Sequence, residues 1–168
     1  MFDDNLNLIV GGRKVGKTLF LLELAMILKS SGYKLCFIGG TDEMPLDDEM
    51  MSCFDFARTL STSKPKEEND KTLELVKEVV NRDKHDFIIV DDVDWMFESS
   101  IRSLLRINIS KICTCVSVLD SLQNSTRFEM GEIHSDQSPY SISTINGFPV
   151  KDFIKSLVRD QKIKNIIK

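Results

Sequence analysis

The sequence predicts an α/β domain in which helices cover both faces of a mainly parallel central sheet. Short apolar runs, typical of buried strands, occupy residues 7–10, 34–38, 86–91 and 112–118 and alternate with segments of helical periodicity. This alternation favours parallel pairing, because each crossover helix returns the chain to the same edge of the sheet. The patterns weaken after residue 119, but 168 residues suit one sizeable core, so we expect residues 1–168 to form a single domain.

The most informative motif is G-G-R-K-V-G-K-T at residues 11–18, which fits the phosphate-binding pattern G-x-x-x-x-G-K-S/T without a mismatch. Gly11 and Gly16 allow the backbone to wrap closely around an anion, so that successive N–H groups point at phosphate oxygens. Lys17 supplies a charge for the β and γ phosphates, and Thr18 supplies a hydroxyl for a bridging Mg²⁺. The predicted nucleotide contacts are Gly11, Gly12, Arg13, Lys14, Val15, Gly16, Lys17, Thr18 and Leu19.

The segments on either side of this loop have the required character. Residues 7–10 form a short apolar run, and residues 19–30 form a helical segment that is apolar nearly all round, which predicts burial. Gly32 is placed to end that helix in the left-handed conformation. A strand, a glycine-rich loop and a helix in this order predict that the chain binds a nucleoside triphosphate.

The other elements follow from local patterns. Acidic residues after Pro45 and an apolar stripe predict a helix over residues 45–60, and the polar stretch 61–71 predicts a surface loop. Asp70 is expected to cap the next helix, which runs to about Arg82. Further along, the patterns predict a helix over 99–106, a strand over 140–145 that turns at Asn146-Gly147, and a helix over 150–167.

A second nucleotide motif lies at residues 87–91, where four apolar residues end in Asp91. Open α/β sheets bind ligands beyond the carboxyl ends of their strands, so a carboxylate in this position lies close to the metal of a bound nucleotide. The motif follows the phosphate loop with one strand and its helices between them. We therefore expect Asp91 and Thr18 to hold Mg²⁺.

Hydrolysis would also need a carboxylate that orients the attacking water. Glu43 lies just after the second predicted strand, and Asp92 directly follows Asp91. Asp94 is a third acid nearby, but we expect it to cap a helix or to face water. Chemistry alone does not choose between Glu43 and Asp92 as the catalytic base.

Charge is distributed unevenly along the chain, whose formal net charge is −4. Residues 1–100 contain 12 Lys and Arg against 20 Asp and Glu, whereas residues 101–168 contain 10 against 6. The basic second part could meet nucleic acid or an acidic neighbouring subunit. The simpler interpretation, a solvated helix face, stays open.

The composition is that of a soluble globular protein, with 42% apolar and 29% charged residues. No apolar run is long enough to cross a bilayer, and the acidic start Met1–Asp4 is unlike a basic secretory signal. Four cysteines form no C-x-x-C pair, and three of them lie in strand-like runs. We therefore expect buried, reduced thiols, a cytoplasmic location and no membrane partner.

These motifs resemble a known family. Residues 41–45, T-D-E-M-P, look like the S-x-E-M-P that follows the second strand in the ATPase domain of the replicative helicase DnaB. Residues 86–96, D-F-I-I-V-D-D-V-D-W-M, are similar to its D-x-I-V-I-D-Y-L-Q-L-M. The resemblance implies a three-layer RecA-like P-loop NTPase that uses ATP and Mg²⁺, with Glu43 activating water and Asp91 near the metal. It also implies a homo-oligomer, or a related ATPase partner, that acts on nucleic acid, with single-stranded DNA favoured.

The resemblance covers about residues 6–119, and the departures from it are informative. Val118 stands where the helicase has a glutamine that senses the γ-phosphate, and Asp94 stands at another glutamine. The usual Lys and Arg finger motif has no recognisable match, which leaves only Arg159 and Arg127 as candidates. No counterpart of the helicase's N-terminal helical domain is evident. A minimal RecA-like ATPase core is therefore expected rather than a processive helicase.

Two alternative functions remain open. Small nucleoside and nucleotide kinases of the thymidine-kinase type also resemble this chain, and Asp92 would then be the base, with Trp95 or Phe97 in a nucleobase pocket. Against the kinase, the zinc-binding cysteines of that family have no counterpart after Cys115. The other alternative is a non-catalytic adaptor that binds ATP without hydrolysing it.

Overall fold

The computed structural model describes residues 6–40, 48–134 and 141–167, which contain eight strands and five α-helices. Two short 3₁₀ turns, Val93–Trp95 and Asp120–Leu122, join these elements. In chain order the elements are β1 Leu6–Gly11, α1 Lys17–Ser30, β2 Leu35–Gly39, α2 Asp48–Met51, β3 Phe56–Thr59, α3 Lys66–Arg82, β4 Phe87–Asp91, α4 Glu98–Leu105, β5 Ser110–Cys115, β6 Thr126–His134, β7 Ser141–Ile145, β8 Phe148–Pro149 and α5 Val150–Ile167.

The strands form one sheet in the order β3-β2-β4-β5-β1-β6-β7-β8. All pairs from β3 to β6 are parallel, and the β6–β7 and β7–β8 pairs are antiparallel. The register sets Gly39 opposite Asp91 and Val10 opposite Cys115. The carboxyl ends of β1, β2, β4 and β5 therefore meet at one edge of the sheet, where the phosphate loop leaves β1.

Helices pack on both faces of the sheet. Neighbouring residues of a strand point to opposite faces, so Leu8 joins one core cluster and Ile9 joins the other. The first cluster includes Val76 of α3, and the second includes Phe20 of α1 and Leu157 of α5. The three layers and the mainly parallel sheet confirm the fold class that the sequence predicts. Among the described helices, none is both long and apolar enough to cross a membrane.

Helix α1 begins directly after Gly16 and ends as its sequence predicts. Gly32 adopts a φ of +90°, and its N–H donates to the carbonyl of Lys29 at 3.0 Å. The next N–H, from Tyr33, donates to the carbonyl of Leu28 at 3.1 Å. Together these bonds form a Schellman motif, which satisfies carbonyls that the helix end would otherwise leave open.

The prediction that α1 is buried nearly all round is only partly correct. Seven of its residues are buried, but Leu19 is 63% exposed and Met26 is 52% exposed. These two residues lie seven positions apart, which places them on the same side of the helix. One apolar strip of α1 therefore faces away from the core.

The predicted helix over residues 45–60 is wrong for most of its described part. Only the four residues of α2 are helical, and Phe56–Thr59 form β3, which pairs in parallel with β2. The Asp55 carboxylate stabilises the start of β3, because it accepts from the Leu35 N–H at 2.9 Å and from Lys29 Nζ at 2.7 Å. Pairing across the sheet thus overrides the local helical pattern. Residues 45–47 lie outside the described residues.

The predicted loop over 61–71 is also too long. Helix α3 begins at Lys66, after Pro65, so Asp70 lies inside the helix and is not its cap. Asn69 is buried and fixes this first turn, since its Nδ2 donates to the Ser61 carbonyl at 2.6 Å and its Oδ1 accepts from the Ser61 N–H. The polar residues that predicted a loop instead form the first turn of a helix, which is exposed apart from Asn69.

The last third of the chain contains β6, another strand that the sequence did not reveal. β6 pairs with the central strand β1, yet it alternates buried and exposed residues and carries charges, so no apolar run marks it. β5 ends at Cys115 and not at Val118. The predicted turn is confirmed, with φ values of +50° at Asn146 and +83° at Gly147, and so is the terminal helix α5.

The cysteines are free thiols, as predicted. Cys36, Cys113 and Cys115 are buried in strands, and Cys53 is partly buried. Burial raises the pKa of each of the three strand thiols to about 12, since an apolar environment disfavours the thiolate. These side chains therefore act as small apolar groups of the core.

Candidate functional site

The phosphate loop lies close against the sheet because Gly11 has no side chain. A Cβ on Gly11 would lie 2.8 Å from the carbonyl oxygen of Met130 on β6, and 3.0 Å from a methyl group of Val15. Lys14 and Gly16 adopt positive φ values of +61° and +95°, which curl the loop. A curl of this kind turns successive N–H groups toward one point and forms an anion site at the start of α1.

Lys17 is buried within this loop, with 8% of its surface exposed. Its Nζ donates to the carbonyl oxygens of Gly11 at 2.7 Å and Gly12 at 2.6 Å. An ammonium group has three donors, so these two bonds leave one donor for a phosphate oxygen. The loop therefore positions the charge that the motif predicts.

A chain of hydrogen bonds joins the strands β4 and β5 to the start of α1 at the predicted metal position. The Thr18 hydroxyl donates to Asp91 Oδ2 at 2.8 Å, and the Thr114 hydroxyl donates to Asp91 Oδ1 at 2.6 Å. Asp91 is only 3% exposed. Hydroxyl and carboxylate oxygens are the ligands that Mg²⁺ prefers, so Thr18 and Asp91 fit this ion.

Thr114 is a site residue that the sequence analysis missed. It lies on β5, the strand between β1 and β4, and its hydroxyl also accepts from the Asp92 N–H at 2.8 Å. The side chain thus orients the carboxylate of Asp91 and the backbone of the next residue together. The available signal was one hydroxyl residue between Cys113 and Cys115, near the carboxyl end of the strand.

Gly40, after β2, supports the same acids from the other side. A Cβ at this position would lie 1.9 Å from the carbonyl oxygen of Asp92, so no other residue fits without movement of the backbone. The Gly40 N–H donates to the Asp91 carbonyl at 2.8 Å. The pair Gly39-Gly40 marked only the end of a strand in the sequence.

Asp92 is partly buried and turns into the site, with a φ of +58°. Burial raises the pKa of its carboxyl group, and the neighbouring charge of Asp91 raises it further. The charges of Lys17 and Arg13 act in the opposite direction. Asp92 is therefore an acid whose environment favours proton uptake, beside the predicted phosphate position.

The phosphate loop, Asp92 and Asp94 border one cleft of about 580 Å³. Its outer rim is apolar and exposed, at Leu19, Trp95 (47%) and Val116 (41%). The guanidinium carbon of Arg13 lies 5.9 Å from the centre of the Trp95 ring, within range of a cation–π contact. The cleft therefore combines a charged floor with an apolar entrance.

The structure brings together four of the five predicted catalytic and metal-binding residues, namely Lys17, Thr18, Asp91 and Asp92. Asp94 also borders the cleft, and its carboxylate accepts from the Val116 N–H at 2.9 Å, a contact with the segment after β5 that the sequence analysis did not predict. Glu43 lies outside the described residues, so its predicted role as base stays a prediction.

The two arginines named as finger candidates do not border the cleft of their own chain. Arg127 donates to the side-chain oxygen of Gln123 at 2.9 Å, and Arg159 lies 4.0 Å from Asp160 on α5. Val118, at the helicase's sensor position, packs against the core. Among the described residues, neither Arg127 nor Arg159 is therefore placed to act as a finger on its own chain's cleft.

Ser143 is a second residue that the sequence did not reveal. Its hydroxyl donates to the carbonyl oxygen of Val15 at 2.9 Å, which connects β7 to the phosphate loop. The antiparallel strands after β6 thus stabilise the curl of the loop from outside. No motif in the sequence marks this contact, which joins residues 128 positions apart.

This fold and this site define a RecA-like P-loop domain. A similar solved structure is that of a KaiC-like protein from the hyperthermophilic archaeon Pyrococcus horikoshii OT3, with a TM-score of 0.56 and 17% sequence identity. The alignment covers 86% of this chain and 80% of that one. No protein-family model and no curated protein matches the chain. The likeness establishes the RecA-like fold and does not single out the DnaB-type helicases.

Proposed function

We propose that the chain binds ATP together with Mg²⁺ and hydrolyses the γ-phosphate. The observation that carries this proposal is the hydrogen-bonded chain Thr18–Asp91–Thr114, which lies beside the loop-bound ammonium of Lys17. Loop, hydroxyl and carboxylate come from separate elements, yet they are already in contact. Such preorganisation is what a phosphoryl-transfer site requires.

Each residue has a defined task in this mechanism. The loop N–H groups and Lys17 bind the phosphates, while Thr18 and Asp91 would hold Mg²⁺, which neutralises phosphate charge when bound. A carboxylate accepts a proton from water, the water oxygen bonds to the γ-phosphorus, and the bond to the ADP oxygen breaks. Asp92 borders the cleft and Glu43 is the alternative base, so both remain candidates.

The test separates binding from hydrolysis. Thr18→Ala removes the metal-facing hydroxyl and should reduce ATP hydrolysis by about a hundredfold, whereas Thr18→Ser keeps the hydroxyl and should retain most activity. Binding of ATP would be measured with and without Mg²⁺ by calorimetry. Equal hydrolysis by both variants would contradict the proposed metal site.

A second candidate is a nucleoside or nucleotide kinase. The favouring observation is the exposed ring of Trp95 at the cleft entrance, close to Asp92, because an aromatic ring and a carboxylate could hold a nucleoside acceptor. Transfer of the γ-phosphate of ATP to each nucleoside of a panel would be measured directly. Transfer faster than hydrolysis would favour the kinase.

The third possibility is an adaptor that binds ATP without hydrolysing it. The Glu43→Gln variant identifies the base, and hydrolysis by the unmodified chain tests the adaptor. If Glu43 is the base, this variant abolishes hydrolysis and retains ATP binding. If hydrolysis is unchanged, the base is Asp92 and the Asp92→Asn variant is inactive instead. Binding with no hydrolysis by the unmodified chain, with and without single-stranded DNA, would favour the adaptor.

We also propose that the chain works as a homo-oligomer, or with a related ATPase, on single-stranded nucleic acid. Residues 1–100 carry a net charge of −8 (12 − 20) and residues 101–168 carry +4 (10 − 6), so copies could associate head to tail. Sedimentation with and without ATP, and hydrolysis with and without single-stranded DNA, would test this. A monomer indifferent to DNA would contradict it.

A further inference from the structure

A second cavity lies at the opposite edge of the sheet from the phosphate loop. Its volume is about 560 Å³, and it is bordered by Leu6 and Thr126 at the starts of β1 and β6, and by Lys111 near the start of β5. Because these strands are parallel, their amino ends lie together, far from the edge that carries the phosphate loop. The cavity is therefore independent of the cleft.

The most unusual residue of this cavity is Lys111, which is only 4% exposed. Its Nζ donates to the carbonyl oxygens of Ile107 and Ile109, the latter at 2.7 Å. Of the described residues that border the cavity, none carries a carboxylate. A buried cation without an opposing charge is costly, and burial accordingly lowers the pKa of this ammonium group.

Three further features favour an anion here. Arg106 also borders the cavity, is exposed, and forms no ion pair within the part of the chain that the structure describes. The Oγ of Ser121 is buried and has no hydrogen-bond partner among the described residues. The amides of Asn108 and Asn124 add neutral donors and acceptors at the rim.

We propose that this cavity is a second ligand site, which binds the phosphate group of a small molecule of mononucleotide size. Lys111 and Arg106 supply positive charge, Ser121 supplies a hydroxyl donor, and no carboxylate of the described lining opposes them. The volume falls within the usual range of small-molecule pockets and exceeds what a free phosphate ion needs. This inference does not rest on the proposed ATPase function.

The experiment uses the full chain carrying Lys17→Ala, so that the phosphate loop does not dominate binding. Inorganic phosphate and AMP are titrated separately while the backbone amide signals are followed by NMR. We expect saturable shifts at residues 106–111 and 121–126, without matching shifts at residues 11–18. AMP should bind more tightly than inorganic phosphate, because the cavity is larger than one phosphate group.

Two variants and a matched control test the named residues. Arg106→Gln should weaken AMP binding about tenfold, whereas Arg102→Gln should leave it unchanged. Arg102 lies four residues earlier on α4, is also exposed, and pairs with Glu98 at 3.0 Å. Ser121→Ala should weaken binding without lowering the melting temperature, because the hydroxyl it removes has no partner in the described structure.

The proposal is overturned if neither probe gives saturable shifts up to about 10 mM, or if Arg102→Gln weakens binding as much as Arg106→Gln. Equal affinity for phosphate and AMP would overturn the mononucleotide size. The chain's acidic start, with Asp3 and Asp4 shortly before Leu6, provides a rival anion. If phosphate binds only after both are changed to Asn, these carboxylates occupy the site and the proposal is wrong.

Discussion

The two edges of the central sheet surround their buried lysines differently. At the carboxyl edge, the charges of Lys17 and Asp91 both act on Asp92, and Asp91 accepts a hydrogen bond from Thr18, the residue after Lys17. At the amino edge, Lys111 is held by backbone carbonyls, with Arg106 bordering the same cavity and no carboxylate among the described lining residues. A site for a metal and a phosphate needs both signs of charge, whereas a site for a bare anion needs only one.

The largest expected effect comes from removing a carboxylate from the cleft, since the described lining of the cavity has none. Asp91→Ala removes the central carboxylate and should reduce ATP hydrolysis by about a hundredfold or more, because Mg²⁺ loses the charged one of its two proposed protein ligands. Binding of ATP should also lose its dependence on Mg²⁺, which calorimetry would show.

The control for this variant is Asp94→Asn, which keeps an oxygen that can accept from the Val116 N–H. It should change hydrolysis little, because Asp94 is not part of the Thr18–Asp91–Thr114 chain. If both variants lose activity equally, the cleft depends on its total negative charge and not on Asp91.

The next effect concerns how tightly the carboxyl edge is packed. Gly40→Ala should lower the free energy of unfolding by about 1–3 kcal/mol, because the new methyl group would force the backbone at Asp92 to move. Urea denaturation would measure this loss. Gly12→Ala is the control, since its nearest described atom would be a Val15 methyl at 3.9 Å. Equal stability of both variants would show that the backbone at Asp92 can move without a loss of stability.

A smaller effect is expected at β5, which carries Lys111 at the amino edge and Thr114 at the carboxyl edge. Thr114→Val removes the hydroxyl that orients Asp91. The Mg²⁺ concentration needed for half-maximal hydrolysis should therefore rise about tenfold. Thr114→Ser keeps the hydroxyl and should behave almost like the unmodified chain. A normal Mg²⁺ curve for the valine variant would mean that Asp91 is oriented without Thr114.

The smallest effect is the pH dependence of stability at Asp92. Its raised pKa means that the folded chain binds this proton more tightly than the unfolded chain does. Stability from this group is therefore present below the unfolded pKa of 3.8 and is lost as pH rises through the folded pKa. Asp92→Asn should raise the melting temperature at neutral pH, and this gain should shrink near pH 4. A lower melting temperature at neutral pH would contradict the burial penalty.

The two edges also differ in how well the sequence predicted them. The carboxyl edge contains a loop motif and an apolar run that ends in Asp91, and both patterns are local, so the main contacts could be predicted. Thr114 and Ser143 could not be, because their roles depend on the register between strands that are distant in sequence. The amino edge has no motif, since its cavity forms only where three strands begin together.

The fold shows the same division between local and non-local information. Among the buried parallel strands, β2 is apolar throughout and β4 is apolar up to its last residue, Asp91, so their composition predicted them. β3 and β6 are partly exposed and carry charges, and they become strands by pairing with β2 and β1. The prediction of a helix over residues 45–60 was wrong because residues 56–59 pair with β2.

Trp95 gives the cleft a built-in optical signal. It is the only tryptophan of the chain, it is half-exposed at the cleft entrance, and the guanidinium of Arg13 lies near its ring. Indole fluorescence depends on the polarity and the charges around the ring, so a nucleotide that displaces Arg13 or covers the ring would change the emission of the whole protein. Occupancy of the cleft can therefore be followed in unlabelled protein, in real time, with one wavelength.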